Sequence, residues 1–397
     1  MPATAEYVLE ASTIYPGGGE APLSNCTVHV RDGLIAGIGA SAGSQNLPRI
    51  RCSVLAPGFI DIQINGAGDG QFNDAPDTAT LKRMVQGAAK GGTAHLLATY
   101  ITAPGFGYRQ AMEAVERARE GRLPGLLGLH LEGPFISPRR PGIHPAKAIR
   151  PLGDRDFDIL LGSGDHPRLI TLAPEECAPG AIERLASAGW RVFLGHSLAS
   201  YELIQSRIAE GLSGATHLFN AMPPLAGREP GPVGAVLDGS LPFAGLIADG
   251  IHVHPANLAL AYSCAGPDRL CLVSDAMLTL GGTATEFSIG DKRVHLRDGR
   301  LVDDQGTLGG ANLAMDEAVR NMIRLTSARP QDALAMASTT PAKALGLENE
   351  LGYIRPGHRA SFTICDTDLK ASATISDGVL LHREFDSRRD EQWAILD

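Results

Sequence analysis

A chain of 397 residues exceeds one ordinary compact domain, but a parallel β/α barrel of ~250 residues plus a smaller module accounts for it. A formal net charge of -9 with no basic run to offset it argues against a nucleic-acid or membrane-surface binder, so an anionic ligand needs a local basic site. No apolar run reaches membrane-spanning length, and the first residues, with no basic stretch before an apolar core, give no expectation of a signal peptide. The six cysteines form no CxxC pair, so a cytoplasmic protein with reduced thiols is expected.

In chain order, residues 1–56 read as short strands and turns: YVLEASTIY, CTVHV and GLIAGIG, separated by PGGG, RDG and a polar Ser/Gly stretch. Eight apolar strand candidates follow, at 58–64, 93–100, 125–132, 168–174, 191–197, 214–220, 243–250 and 270–276. Amphipathic helices separate several of them. Leu81, Met84, Val85 and Ala88 recur at helical spacing before Gly91 and Gly92 stop the first; others are expected at 108–120 and 179–188. Strands that are apolar throughout and separated by helices predict a parallel β/α barrel. The segment 285–303 interrupts the pattern and reads as a β-hairpin insertion. RASFTICDTDL, SATISDG and VLLHREF then return to short strands, so both termini should build one small β-sandwich. The expected division is a sandwich of 1–56 with 355–397 and a barrel over 57–354.

Barrel chemistry belongs at the C-terminal ends of the strands. Glu132 ends the third, His196 the fifth and Asp275 the eighth; His217 is expected within the sixth, and Gln63 and Asn65 end the first. One carboxylate and two imidazoles, Glu132, His196 and His217, suit a catalytic divalent ion with an open position, which acidifies bound water. Asp275 can then move the proton from water to a leaving nitrogen, as amide cleavage requires. The alternative for Asp275 is a helix N-cap in SDAM.

PGFIDIQINGAG (57–68), GLHLEGPFISP (128–138), GHS (195–197), THLFNAMPPLAGREPG (216–231), IADGIHVHP (247–255), SDAM (274–277) and TLGGANLAMDEAV (307–319) are similar to the N-acetylglucosamine-6-phosphate deacetylase family of the amidohydrolases. The resemblance spans nearly the whole chain and implies hydrolysis of an N-acetyl amino sugar 6-phosphate to the free amine and acetate. It assigns Glu132, His196 and His217 as metal ligands and Asp275 as the catalytic acid and base. His144 would polarise the acetyl carbonyl. Asn220, Ala221, Arg228 and His252 would hold the sugar phosphate, while Leu308, Gly309, Gly310 and Ala311 line the sugar pocket. His254, two residues beyond His252 on an extended run, should face the other way.

Many amidohydrolases carry His-x-His where this chain has Gln63 and Asn65, and amides are poor transition-metal ligands. A vacant second-metal position and one divalent ion per chain, Zn²⁺ first with Fe²⁺, Mn²⁺ or Co²⁺ as alternatives, are therefore expected. The resemblance also implies a homodimer in which Arg228 reaches the partner's substrate. Competing readings are the galactosamine epimer, a cyclic-amide hydrolase and a catalytically silent binding protein. The cyclic-amide reading lacks the lysine it needs at the ends of strands three to six.

Overall fold

The computed structural model describes residues 6–39, 46–162 and 164–384. Most of the predicted Ser/Gly stretch (40–45) and the segment from Phe385 onward, which ends the last predicted strand, lie outside the described residues.

Eight parallel strands, Phe59–Ile64, Thr93–Ile101, Leu126–Glu132, Arg168–Leu172, Trp190–Leu194, Leu212–Ala215, Phe243–Leu246 and Leu270–Leu272, pair each with the next. The first three are buried at every position, as strands covered on both faces must be. Closure comes just past the strand ends. Asp275 N–H donates to the Gln63 carbonyl (2.9 Å) and Asn65 N–H to the Ala276 carbonyl (2.8 Å). The barrel seam thus runs through the residues expected to do chemistry.

Helix Thr78–Ala89 starts where the Asp77 side chain accepts from Thr80 N–H, and buries Leu81, Met84, Val85 and Ala88 as their spacing predicts. Helices Tyr108–Glu120 and Ala181–Ser187 also match expectation. Five strands stop short of their apolar runs, the fourth at Leu172 and the seventh at Leu246 among them. The fifth, sixth and eighth stop at Leu194, Ala215 and Leu272, so His196, His217 and Asp275 lie in the loops beyond. His217 is therefore not inside the sixth strand. All three adopt left-handed backbone, with φ of 49°, 32° and 47°, which removes them from the ladder and re-aims their side chains.

The insertion is larger than a hairpin. Strands Glu286–Ile289, Lys292–Arg297, Arg300–Asp303 and Leu308–Ala311 form a four-stranded antiparallel sheet. Its apolar side chains, Phe287, Ile289, Val294 and Leu301, pack with Ile101, Ile143, Met277 and Leu278 and roof the barrel mouth.

Both termini share a seven-stranded sheet. Its order is Val379–Arg383, Ala371–Ser376, Phe362–Cys365, Arg49–Pro57, Tyr7–Ile14, Leu23–Arg31 and Leu34–Ile38. Arg49–Pro57, absent from the predicted strands, joins the two termini by pairing parallel with Tyr7–Ile14 and antiparallel with Phe362–Cys365. The sheet curls until Ile35 N–H donates to the His358 carbonyl (2.9 Å), enclosing a core that includes Leu9, Ile14, Ile50, Leu55, Phe362 and Ile375.

Candidate active site

Glu132 ends the third barrel strand with its side chain inward and 2% exposed. Its Oε1 lies 3.0 Å from His196 Nε2 and 2.9 Å from His217 Nε2, and the two nitrogens are 3.1 Å apart. His196 Nδ1–H donates to the Arg140 carbonyl (2.8 Å), an acceptor only, so its Nε2 presents a lone pair inward. Two imidazole nitrogens and a carboxylate oxygen this close hold more lone pairs than one proton can satisfy. A divalent cation suits that donor set. Among the described residues, this is the one trio of such donors with ligand atoms all within 4.8 Å of one another.

Burial opposes charge on Glu132, but hydrogen bonding to His196 and His217 outweighs it and holds the carboxyl well below its usual range. Burial likewise opposes protonation of His217, and Glu132 reverses the balance, raising it. His144, fully buried beside His196, is lowered to about 3 by burial and then by that neighbour, so it is a neutral imidazole. Its Nδ1 meets the Thr102 hydroxyl at 2.8 Å, and its Nε2 faces Glu132 Oε1 at 3.8 Å.

Asp275 stands across the seam. Asn65 Nδ2 donates to its Oδ1 at 2.8 Å and Gln63 Nε2 at 3.2 Å, and Gln63 Nε2 also donates to Glu132 Oε2 at 3.1 Å. Burial first, and the Glu132 charge second, push Asp275 up to about 6. No helix begins at Ala276, so the N-cap alternative is excluded. Beneath lies Asp61, whose carboxylate accepts from Gln63 N–H (3.1 Å), Ser274 N–H (3.3 Å) and the Ser274 hydroxyl (2.5 Å). Burial pushes Asp61 up to about 7. His130 belongs to the same polar floor, one ring nitrogen against Thr99 (3.1 Å) and the other against Thr171 (2.7 Å).

A cavity of about 350 Å³ opens above these groups. It gathers Asn65, Glu132, His144, His196, His217, Asn220, Ala221, His252, Asp275, Leu308 and Gly310 from the expected set. Gln63 sits behind the wall, bonded to both carboxylates. A Cβ at Gly309 would come within 3.2 Å of Val294 and 3.3 Å of Ile143, and Ala311 N–H donates to the Asp275 carbonyl (2.8 Å). Gly310 has φ +72°, and a Cβ there would come within 2.9 Å of that same carbonyl, so glycine is required. Arg228 does not line this cavity; it is exposed in its loop. His252 Nδ1–H donates to Asp249 Oδ2 (2.6 Å), which leaves Nε2 free to face the cavity. His254 instead caps helix Pro255–Ala265, accepting from Ala256 N–H. Its separation from His252 therefore comes from a helix start rather than from strand alternation.

Residues that sequence reasoning did not single out complete the walls: Ile101, Ile143, Met277 and Thr307 line the cavity, and Thr102 and Asp249 support the histidines. Met277 and Thr307 fall inside motifs already noted, so the signal was present. Thr102 follows a strand with nothing local to distinguish it.

A barrel of eight parallel strands with a buried Glu/His/His trio and a carboxylate at its C-terminal mouth defines a metal-site hydrolase scaffold. The chain belongs to the amidohydrolase family, whose pattern it matches over residues 54–385. An N-acetylgalactosamine-6-phosphate deacetylase of Shewanella sp. is 37% identical over 92% of this chain and 93% of its own length. The N-acetylglucosamine-6-phosphate deacetylase of Haemophilus influenzae is 33% identical, over 82% of this chain and 85% of its own. The crystal structure of N-acetylglucosamine-6-phosphate deacetylase from Pasteurella multocida superposes with a TM-score of 0.89 at 35% identity, covering 94% of this chain and 98% of that one.

Proposed function

We propose that this protein hydrolyses N-acetyl-D-glucosamine 6-phosphate to D-glucosamine 6-phosphate and acetate, in amino-sugar catabolism and cell-wall recycling. The observation that carries the reading is the convergence of Glu132, His196, His217, His144 and Asp275 on one small cavity, in a chain whose relatives are amino-sugar-6-phosphate deacetylases.

Glu132, His196 and His217 would hold one divalent ion, Zn²⁺ by preference. When bound, such an ion acidifies water and polarises a carbonyl. Asp275 takes the proton of the attacking water and delivers it to the departing nitrogen, so that water and amide become carboxylate and amine. In the tautomer whose Nδ1 accepts from the Thr102 hydroxyl, His144 would aim an Nε2–H inward as donor to the amide oxygen where negative charge develops. Leu308, Gly310 and Ile143 would shape the sugar pocket, and Asn220, Ala221 and His252, which line the same cavity, would bind the sugar phosphate.

Arg228 has no place in its own chain's cavity, which supports a homodimer in which it reaches the partner's phosphate. The reading also includes a cytoplasmic location and the division into 1–56 with 355–397 and 57–354, which the separate cores of the terminal sheet and the barrel support. Among the described residues no helix is long and apolar enough to cross a membrane.

The galacto epimer is a second reading, favoured by the 37% identity to the Shewanella relative. Acetate release from N-acetylglucosamine 6-phosphate, N-acetylgalactosamine 6-phosphate and their unphosphorylated forms tests both. The expected result is strong preference for the phosphorylated gluco sugar. Preference for the galacto sugar would establish the second reading, and no acetate from any of the four would refute both.

A further inference from the structure

Gln63 and Asn65 do more than fill the place of a histidine pair. The Gln63 side-chain NH₂ has two hydrogens, and its nitrogen lies 3.1 Å from Glu132 Oε2 and 3.2 Å from Asp275 Oδ1, one donor for each carboxylate. Asn65 Nδ2 adds a second donor to the same Asp275 Oδ1 at 2.8 Å. Each carboxylate is thereby divided. Glu132 turns Oε1 to both histidines and Oε2 to the amide; Asp275 gives Oδ1 to the two amides, and its side chain lines the cavity.

The amide orientations follow from the chemistry, because a carbonyl oxygen turned toward either carboxylate would set acceptor against acceptor. Gln63 is 2% exposed and Asn65 is fully buried, so neither can swing out to water. Asn65 Oδ1, left behind by this orientation, is a buried acceptor without a hydrogen-bond partner, a cost that only the bond on its other side offsets. The backbone locks the arrangement further. Asp61 accepts from Gln63 N–H and Ser274 N–H, and Asp275 N–H donates to the Gln63 carbonyl, so donor and recipient are fixed from both sides of the seam.

We infer that Gln63 and Asn65 are positioning residues that clamp Asp275 by one oxygen and tie it to Glu132, so that Oδ2 is the oxygen that exchanges protons with substrate. Two buried carboxylates facing one another repel, and a shared neutral donor offers both a hydrogen bond without adding charge. This inference rests on the deacetylation reading.

Three variants test it. Gln63→Met removes both N–H donors at similar length, Gln63→Glu keeps the shape but replaces the donors with oxygens, and Asn65→Leu removes the second donor. Wild-type acetate release is measured first; its absence would refute the deacetylation reading and this inference with it. In an active protein, kcat should fall about 10- to 100-fold in both Gln63 variants, with KM within about threefold. The Asn65→Leu variant should lose about 5- to 20-fold. Metal content should stay at one per chain and thermal midpoints within a few degrees. A Gln63→Glu protein as active as wild type would show that shape alone matters and overturn the clamp. So would metal loss in proportion to the fall in rate, since Gln63 would then serve the ligand site and not the base. If Gln63→Met does not fold, Asn65→Leu reads the same clamp, and unchanged kcat there overturns it.

Discussion

Two regions of the barrel bury histidine beside carboxylate, and they behave in opposite ways. At the foot, where the barrel meets the terminal sheet, His95 Nε2 lies 2.8 Å from the Ser361 hydroxyl, which donates to Asp377 Oδ1 (3.1 Å), and Arg359 grips Asp377 with two nitrogens. Serine, histidine and aspartate in a row resemble a nucleophile relay. Yet His95 is 1% exposed, its other nitrogen faces Ser376 at 3.4 Å, and every group serves to join two sheets. At the mouth, three imidazoles crowd one carboxylate oxygen and His217 Nδ1 is buried without a partner. His196, His217, Phe219, Ala221 and Asp275 all hold positive φ, a cost of about 1–2 kcal/mol each. Asp377 at the foot also holds positive φ, at 53°, so residue type, burial and backbone strain do not by themselves separate structure from chemistry; satisfied partners do.

The largest effects should come from emptying the mouth. His196→Ala and His217→Ala should each lose bound metal and about 1000-fold or more in turnover, since the ion's role is worth several kcal/mol. Elemental analysis showing intact metal in both would remove them as ligands. Asp275→Asn should lose about 100- to 10,000-fold in kcat with its metal retained. More than a tenth of wild-type turnover would exclude Asp275 as the proton carrier.

Next comes Arg228→Ala, expected to weaken the phosphorylated sugar about 10- to 100-fold and leave unphosphorylated N-acetylglucosamine almost unchanged. Mixed with Asp275→Asn protein and allowed to exchange subunits, it should regain activity, because one site per heterodimer would be complete. No gain over the separate variants would refute action in trans.

The foot should respond in stability alone. Ser361→Ala should cost about 1–3 kcal/mol, and calorimetry should register a fall of several degrees in the thermal midpoint with kcat unaltered. Burial lowers His95 from its ordinary value near 6.5 to about 4, so the folded protein refuses a proton that the unfolded chain accepts. Stability should therefore decline as pH falls from about 6.5 toward 4, and a His95→Gln protein should lose part of that slope. Equal slopes would remove His95 from the account, and a kcat loss in Ser361→Ala would mean that the foot is coupled to chemistry.

The same contrast explains what could be read from sequence. Apolar runs disclosed all eight barrel strands, and helix periodicity disclosed Thr78–Ala89, because both patterns are local. The ends of five strands were not legible. Past Leu194, Ala215 and Leu272 the backbone turns left-handed at His196, His217 and Asp275, while the apolar run continues. Glu132, His196 and His217 were readable as a set because they fall at or near the C-terminal ends of three apolar runs, although His217 was expected inside the sixth strand. Asp61 was not, since its partner Ser274 is 213 positions away, nor was Thr102, 42 positions from His144. Strand Arg49–Pro57 escaped notice because its charged first half hides an alternation of Ile50, Cys52 and Val54.

The most direct test of the account is a metal titration of stripped protein, following acetate release from N-acetylglucosamine 6-phosphate as Zn²⁺ is added. Activity should rise linearly from near zero and break at one equivalent per chain, as a single Glu/His/His site beside the amides of Gln63 and Asn65 requires. A break at two equivalents, or full activity in the stripped protein, would contradict it.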